Sequence, residues 1–267
     1  MKLTILGSGA SIANKYRVSS GFLLETKESS WIIDFGGGSF YRLYNDLKYD
    51  YVSKVDGAFI SHPHVDHLVD LMWFMHSLYN STVYADWRKR PQDNRTKQLH
   101  LHGYSGFGED YEKLRLMFPE RKEKYEVSVN DHGEDTFQAL DLKVTTKIVP
   151  HVPEYFTAIG FRIEAEGKVL MYSGDSGYDK ALLKLAKGAD IALLESAIFP
   201  SLYKEKGAAP NHLSPFEAGI IAKEANVKRL VLTHLYDIDP EEEFIREAKK
   251  SYSGEVVIAK DLLGIEI

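Results

Sequence analysis

Cysteine is absent from all 267 residues. That absence excludes disulfides, a thiolate nucleophile and Cys-ligated zinc, so any metal must be held by His, Asp or Glu. Long apolar runs are missing too: no stretch approaches the ~18 residues needed to span a membrane. The opening segment Met1-Lys2-Leu3-Thr4-Ile5-Leu6-Gly7 leads directly into a strand-like run and lacks the apolar stretch and cleavage site of a secretory signal. The expectation is a soluble, cytoplasmic chain with no membrane partner. Positive charge is not in excess either. A formal charge of -6 argues against a surface that coats nucleic acid, while leaving room for a local basic patch. Hydrophobic residues at 44% and charged residues at 27% are ordinary for a globular fold, and the length suits a single domain over residues 1–267.

What the sequence does hold is concentrated in Ser61-His62-Pro63-His64-Val65-Asp66-His67. Three imidazoles and a carboxylate fall within six positions, between the apolar run Val55 to Ile60 and an apolar pattern of helical spacing from Leu68 to Leu78. They therefore sit where a strand ends and a helix begins. Polar, titratable groups packed at the inner end of a strand are costly unless something satisfies them, and a metal ion does so.

Other chemistry-bearing residues repeat that placement. The runs 2–6, 19–26 and 30–34 read as strands, the third ending at Asp34 before Gly36-Gly37-Gly38. Those glycines lack the Gly-x-Gly-x-x-Gly spacing of a phosphate cradle, and they suit a backbone that passes close to the ligands. Asp34 could orient a ligand histidine from behind, or be a plain turn aspartate. Short helices are expected over 38–47 and 107–118. His151 follows the strand Val144 to Val149, Asp175 follows Lys168 to Tyr172, Glu195 ends Asp190 to Leu194, and His234 ends Arg229 to Thr233. Ligand sites in parallel or mixed sheets form at such strand ends. His212 precedes Ser214-Pro215-Phe216-Glu217, a helix start with an N-cap Ser, Pro at the first position and Glu at the capping-box position. Two further signals are weaker. His100 and His102 could be a second ligand pair, but alternate strand residues share a face for packing alone. The basic stretch 88–97, with Arg88, Lys89, Arg90, Arg95 and Lys97, could touch an anionic substrate or be a solvated loop.

Together, His62-x-His64-x-Asp66-His67, His151, Asp175 and His234 resemble the metallo-β-lactamase superfamily over nearly the whole chain. The resemblance implies an α+β fold, an αββα sandwich of two mixed sheets with helices outside. Carried over, it places His62, His64 and His151 on one divalent ion and Asp66, His67 and His234 on a second, with Asp175 bridging. The ions implied are zinc, with manganese as the alternative, because the di-iron branch typically has a carboxylate at position 64. Within the superfamily the chain looks most similar to the ribonuclease Z-like phosphodiesterases. Tyr172-Ser173-Gly174-Asp175-Ser176 resembles their bridging-aspartate segment, and Leu194-Glu195-Ser196-Ala197 their His-Glu-Ala-Thr segment with Leu194 in place of the leading His. His212 resembles their additional catalytic histidine. Two departures weigh against a tRNA-processing enzyme. His151 and Asp175 are only 175 − 151 = 24 positions apart, too few for the family's tRNA-gripping arm. His102-Gly103-Tyr104 also stands where the family usually has Gly-Pro.

The expected activity is hydrolysis of a phosphodiester by a metal-activated hydroxide, with Asp66, His212 and Glu195 as catalytic residues and a small anionic ester or short RNA as substrate. Alternatives are hydrolysis of a lactone, thioester or sulfate ester on the same site, or a non-catalytic metal-binding protein. The resemblance also leaves a homodimer open.

Overall fold

The computed structural model describes residues 1–12, 14–84, 97–117, 125–199, 211–236 and 239–267, with side chains throughout except at 82–84. Strands β1 (Lys2–Gly7), β2 (Gly21–Glu25), β3 (Ser30–Phe35), β4 (Gly57–Ile60), β5 (Leu99–Tyr104) and β6 (Val127–His132) belong to a first sheet. Strands β7 (Asp135–Ala139), β8 (Leu142–Val149), β9 (Ala158–Ala165), β10 (Lys168–Tyr172), β11 (Ile191–Glu195), β12 (Arg229–Thr233) and β13 (Glu255–Ile258) form a second. β14 (Gly264–Glu266) returns to the first sheet beside β1. Each sheet is half antiparallel and half parallel: β3 to β6 run parallel in one, and β10 to β13 in the other.

The apolar pattern explains why two sheets face each other with helices outside. Along β10, β11 and β12, alternate residues point to opposite faces. Leu170, Tyr172, Ile191, Leu193 and Val231 pack into the core between the sheets, together with Trp31, Phe59 and Phe161. Their neighbours Met171, Ala192, Leu194, Leu230 and Leu232 pack outward into a second core. The outer core is covered by α5 (Lys180–Ala186), α6 (Pro215–Glu224) and α7 (Glu241–Lys249). A strand buried on both faces reads as a continuous apolar run, as these do. On the first sheet, α3 (Val65–Tyr84) lies against β3, while α4 (Phe107–Arg115) lies beside β5 and β6. The sandwich of mixed sheets with flanking helices is the fold expected from the sequence.

Element ends differ in places. The helix expected over 38–47 is α1 (Ser39–Tyr41) running into a π-helical turn, Arg42–Asp46, closed by the Leu47 amide on the Arg42 carbonyl at 3.0 Å. A four-residue helix, α2 (Tyr51–Lys54), precedes β4. α4 ends at Arg115, three residues short of the expected 118. The capping box of α6 forms as expected: Ser214 Oγ accepts the Glu217 amide and the Glu217 carboxylate accepts the Ser214 amide. None of the helices among the described residues is long and apolar enough to cross a membrane.

Candidate metal centre

Strand ends deliver the site from both sheets. His62 and His64 follow β4, Asp66 and His67 open α3, His151 follows β8, Asp175 follows β10 and His234 follows β12. Ligand atoms of His62, His64, His151 and Asp175 lie within 4.8 Å of one another, and so do those of Asp66, His67, Asp175 and His234. Asp175 is common to both groups. One carboxylate oxygen, Oδ2, is 3.8 Å from His62 Nε2, 3.9 Å from His151 Nε2 and 3.4 Å from His234 Nε2. Its other oxygen, Oδ1, is 3.3 Å from His67 Nε2.

The far side of each ring decides what the near side can do. His62 Nδ1–H donates to Ser61 Oγ (2.9 Å), which itself donates to Asp34 Oδ2 (2.7 Å). His67 Nδ1–H donates to Asp34 Oδ2 (2.7 Å), and His151 Nδ1–H donates to the Asn211 carbonyl (3.0 Å). His62 and His151, kept neutral by burial, therefore turn a bare Nε2 inward, while burial of His67 is outweighed by Asp175 and Asp34, which raise its pKa. His64 Nδ1 lies 3.1 Å from both His62 Nε2 and His151 Nε2, so three ring nitrogens converge with at most one proton among them. His67 Nε2 and Asp175 Oδ1 are buried, 3.3 Å apart, and neither makes a well-directed hydrogen bond within the protein. Such groups are costly to bury unsatisfied, and a divalent cation among them is the group that fits.

The surroundings hold this arrangement under some backbone strain. Asp34 has φ of +51° and His234 +57°, both in the left-handed region, at a cost of order 1–3 kcal/mol each. Gly36 allows the end of β3 to pass the ligand turn, since a Cβ there would sit 2.0 Å from the Asp66 carbonyl oxygen. Asp34, fully buried, also accepts the Ser61 amide (2.7 Å) and the Tyr172 hydroxyl (2.7 Å). Of the two sequence readings of Asp34, the structure matches the one that orients a histidine. Burial keeps His62, His64 and His151 below the usual imidazole pKa, which favours the neutral, ligand-competent form. Burial opposes ionisation of Asp66, but the His234 and His67 rings outweigh it and hold the carboxyl well below its ordinary range.

His212 stands on the wall of the same cavity, its ring 5.0 Å from that of His151 and 5.8 Å from that of His234. Its Nδ1–H donates to Glu195 Oε1 at 2.8 Å. The Glu195 carboxylate is fully buried and also accepts the Ser176 and Ala197 amides, at 3.0 and 2.9 Å. Burial works against a charged His212, yet Glu195 beside it dominates and pushes the pKa up to about 9. Glu195, His212 and His234 also come within 4.8 Å of one another, but Glu195 and His212 already satisfy each other.

Other sequence signals lie elsewhere. His102 points between the sheets, stacked on Phe59 and Phe137, and His100 Nδ1 meets Ser128 Oγ at 3.0 Å. Neither joins the cluster. Residues 85–96, with Arg88, Lys89, Arg90 and Arg95, lie outside the described residues. Lys97 is held by Asp56 Oδ1 (2.7 Å) and the Lys54 carbonyl (3.0 Å). Reasoning from sequence missed Ser61, Tyr172 and the Asn211 carbonyl as supports, and Phe156, whose ring is 4.9 Å from that of His64. It also missed Ser11, Ser19, Gly37, Val65 and Val69 as cavity lining. A valine between His64 and Asp66, at position 65, was the one readable sign.

Comparison with known proteins agrees with this geometry. The chain is 25% identical over 260 residues, 97% of each protein, to the probable metallo-hydrolase YhfI of Bacillus subtilis. The crystal structure of YhfI superposes with a TM-score of 0.81 at 24% identity, covering 100% of this chain and 99% of that one. Ribonuclease Z of Myxococcus xanthus is 26% identical over 305 aligned positions, covering 100% of this chain and 98% of that protein. The short form of human tRNase Z shares the fold, with a TM-score of 0.75, 20% identity and coverage of 100% and 99%. A sequence profile described as a beta-lactamase superfamily domain matches residues 33–235, from within β3 to the residue after His234, a span that contains every residue of the candidate centre. The chain belongs to the beta-lactamase superfamily.

Proposed function

We propose that the protein is a dinuclear metal-dependent hydrolase that cleaves a phosphodiester. In this reading His62, His64 and His151 hold one divalent ion, and Asp66, His67 and His234 hold another. Asp175 is shared between them. The all-N/O donor set suits zinc or manganese. When bound, the two ions supply Lewis-acid polarisation of the phosphoryl group and a water acidic enough to attack near neutral pH.

The chain's own groups do the rest. Asp66 accepts a proton from the attacking water. The water oxygen bonds to phosphorus, the bond to the leaving oxygen breaks with its electron pair, and His212 supplies that oxygen with a proton from Nε2. Diester and water thus become monoester and alcohol. Glu195 fixes the His212 tautomer through Nδ1 and keeps the ring protonated at neutral pH.

The observation that carries the phosphodiester over a lactone, thioester or sulfate ester is that His212–Glu195 pair. It puts a cationic imidazole on the wall of a cavity that already holds the cluster, where it can bind a phosphoryl oxygen and protonate a poor leaving group. Relatives named ribonuclease Z are in line with it. A small diester, a cyclic nucleotide or a short RNA suits the site better than a folded tRNA. The segment between His151 and Asp175 is a short turn over 152–157 and the β9–β10 hairpin turning at Glu166-Gly167, and the cavity, about 390 Å³, is at the low end of the ~300–1,000 Å³ of small-molecule sites.

The test is His212→Ala, which lowers turnover of bis-p-nitrophenyl phosphate at least tenfold while metal content stays at the wild-type level. Unchanged turnover in a metal-replete variant removes His212 from the mechanism. A parallel panel of lactone, thioester and sulfate substrates separates the ester classes.

A further inference from the structure

Three consecutive glycines follow β3, and they are not equivalent. Gly36 would drive a Cβ to 2.0 Å from the Asp66 carbonyl oxygen, and Gly38 has φ of +95°, so each of these positions requires glycine. Gly37 has neither constraint. A Cβ there would meet only Val69 Cγ1, at 3.4 Å, an ordinary van der Waals contact, and its φ lies outside the left-handed region. The backbone would accept a side chain at Gly37, yet the position lines the cavity over the His/Asp cluster. Val65 and Val69, one turn apart on α3, line the same cavity and are 72% and 40% exposed. These two valines are an apolar strip beside an otherwise polar cluster.

The two walls of the cavity come from different sheets. Gly37 comes from the turn after β3 and Val65 and Val69 from α3, on the first sheet's side, while His151, His212 and His234 come from loops of the second sheet. With His212 as proton donor, the expelled group leaves on the second-sheet side. The first-sheet wall is then free to take the retained substituent.

We propose that Gly37, Val65 and Val69 form a shelf for an apolar or planar retained substituent, and that the missing side chain at Gly37 sets how large this substituent can be. The substrate class is thereby a diester with a bulky, planar retained group, such as a nucleoside or aryl group, rather than a simple alkyl ester. The proposal rests on the phosphodiester reading of the same site.

Two esters with one leaving group and different retained groups test it: bis-p-nitrophenyl phosphate and methyl p-nitrophenyl phosphate. Gly37→Leu fills the shelf, so the ratio of kcat/KM for the aryl ester over the methyl ester falls at least tenfold. The loss appears in KM, as expected for a contact made equally in ground and transition states. Val69→Phe, which narrows the same gap from α3, shifts the ratio in the same direction and serves if Gly37→Leu does not fold. Binding is read separately by calorimetry: the metal-replete wild type binds diphenyl phosphate at least tenfold more tightly than dimethyl phosphate, and Gly37→Leu abolishes that preference. An unchanged ester ratio in both variants, or equal affinity of the wild type for the two phosphates, overturns the shelf and leaves the phosphodiester reading standing. A wild type that hydrolyses neither ester while still preferring diphenyl phosphate removes the phosphodiester reading and leaves the shelf.

Discussion

Among the described residues, two groups of buried or half-buried histidines stand out, and only one of them has the geometry of a metal centre. His62, His64, His67, His151 and His234 converge around Asp175, where His67 Nε2 and Asp175 Oδ1 make no well-directed hydrogen bond. His102 and His132 are almost as buried, at 7% and 8% exposed, but their nitrogens answer one another. His102 Nδ1 lies 2.9 Å from His132 Nε2, and His132 Nδ1 lies 3.1 Å from Asp135 Oδ2. Their rings stack on Phe59 and Phe137, His132 over Phe137 at 3.8 Å. Burial and histidine content do not separate the two groups. What separates them is whether the protein itself satisfies the lone pairs.

The largest effect that could break this comparison belongs to Asp175, which touches both ligand groups. Asp175→Ala is expected to reduce phosphodiester turnover at least a hundredfold and to lower the bound metal per chain, read by plasma emission after dialysis. His102→Phe is expected to keep the wild-type metal content. If both variants retain metal, or both lose it, the distinction between the groups fails.

Asp34→Ala acts one step behind the ligands. It frees His67 Nδ1 and strands the buried Ser61 and Tyr172 hydroxyls, so metal affinity measured by chelator competition falls about 10–100-fold. The melting temperature falls as well, by several degrees, since each kcal/mol is worth about 2–4 °C in a chain of this size. A variant that melts lower but holds metal as tightly as the wild type would make Asp34 a folding residue only.

Much of this is legible in the amino-acid sequence alone. The seven residues expected as ligands converge because each sits at the carboxyl end of a strand or in the turn just beyond it, a placement visible in apolar runs that stop at His62, His151, Asp175 and His234. Residues that act through shape are not legible there. Val65, Val69 and Gly37 line the cavity through the angle between α3 and the end of β3, which no local pattern encodes. Tyr172 reaches Asp34 across 138 positions of sequence because their strands face each other from opposite sheets. His102 illustrates the converse limit: His-x-His on a strand has the composition of a ligand pair, and only its neighbours Trp31, Phe59 and His132 reveal a packed side chain.

The smallest expected effect sharpens the comparison from the packed side. Burial, with His132 and His100 nearby, lowers the His102 pKa from 6.5 to about 3. The ring is harder to protonate folded than unfolded, so between those values the unfolded chain binds the extra proton. Stability is then lost as pH falls below 6.5, by about 1.4 kcal/mol per unit for this one group. His102→Phe removes that proton uptake while keeping the aromatic stack. Urea unfolding of the two proteins at pH 7, 6 and 5 should therefore show the wild type losing about 2 kcal/mol more than the variant. The residues of the His/Asp cluster also respond to acid, but they do so in both proteins and cancel in the difference. Parallel pH curves would mean that His102 is protonated as readily in the fold as in the unfolded chain, which a ring wedged between Phe59 and Phe137 should not allow.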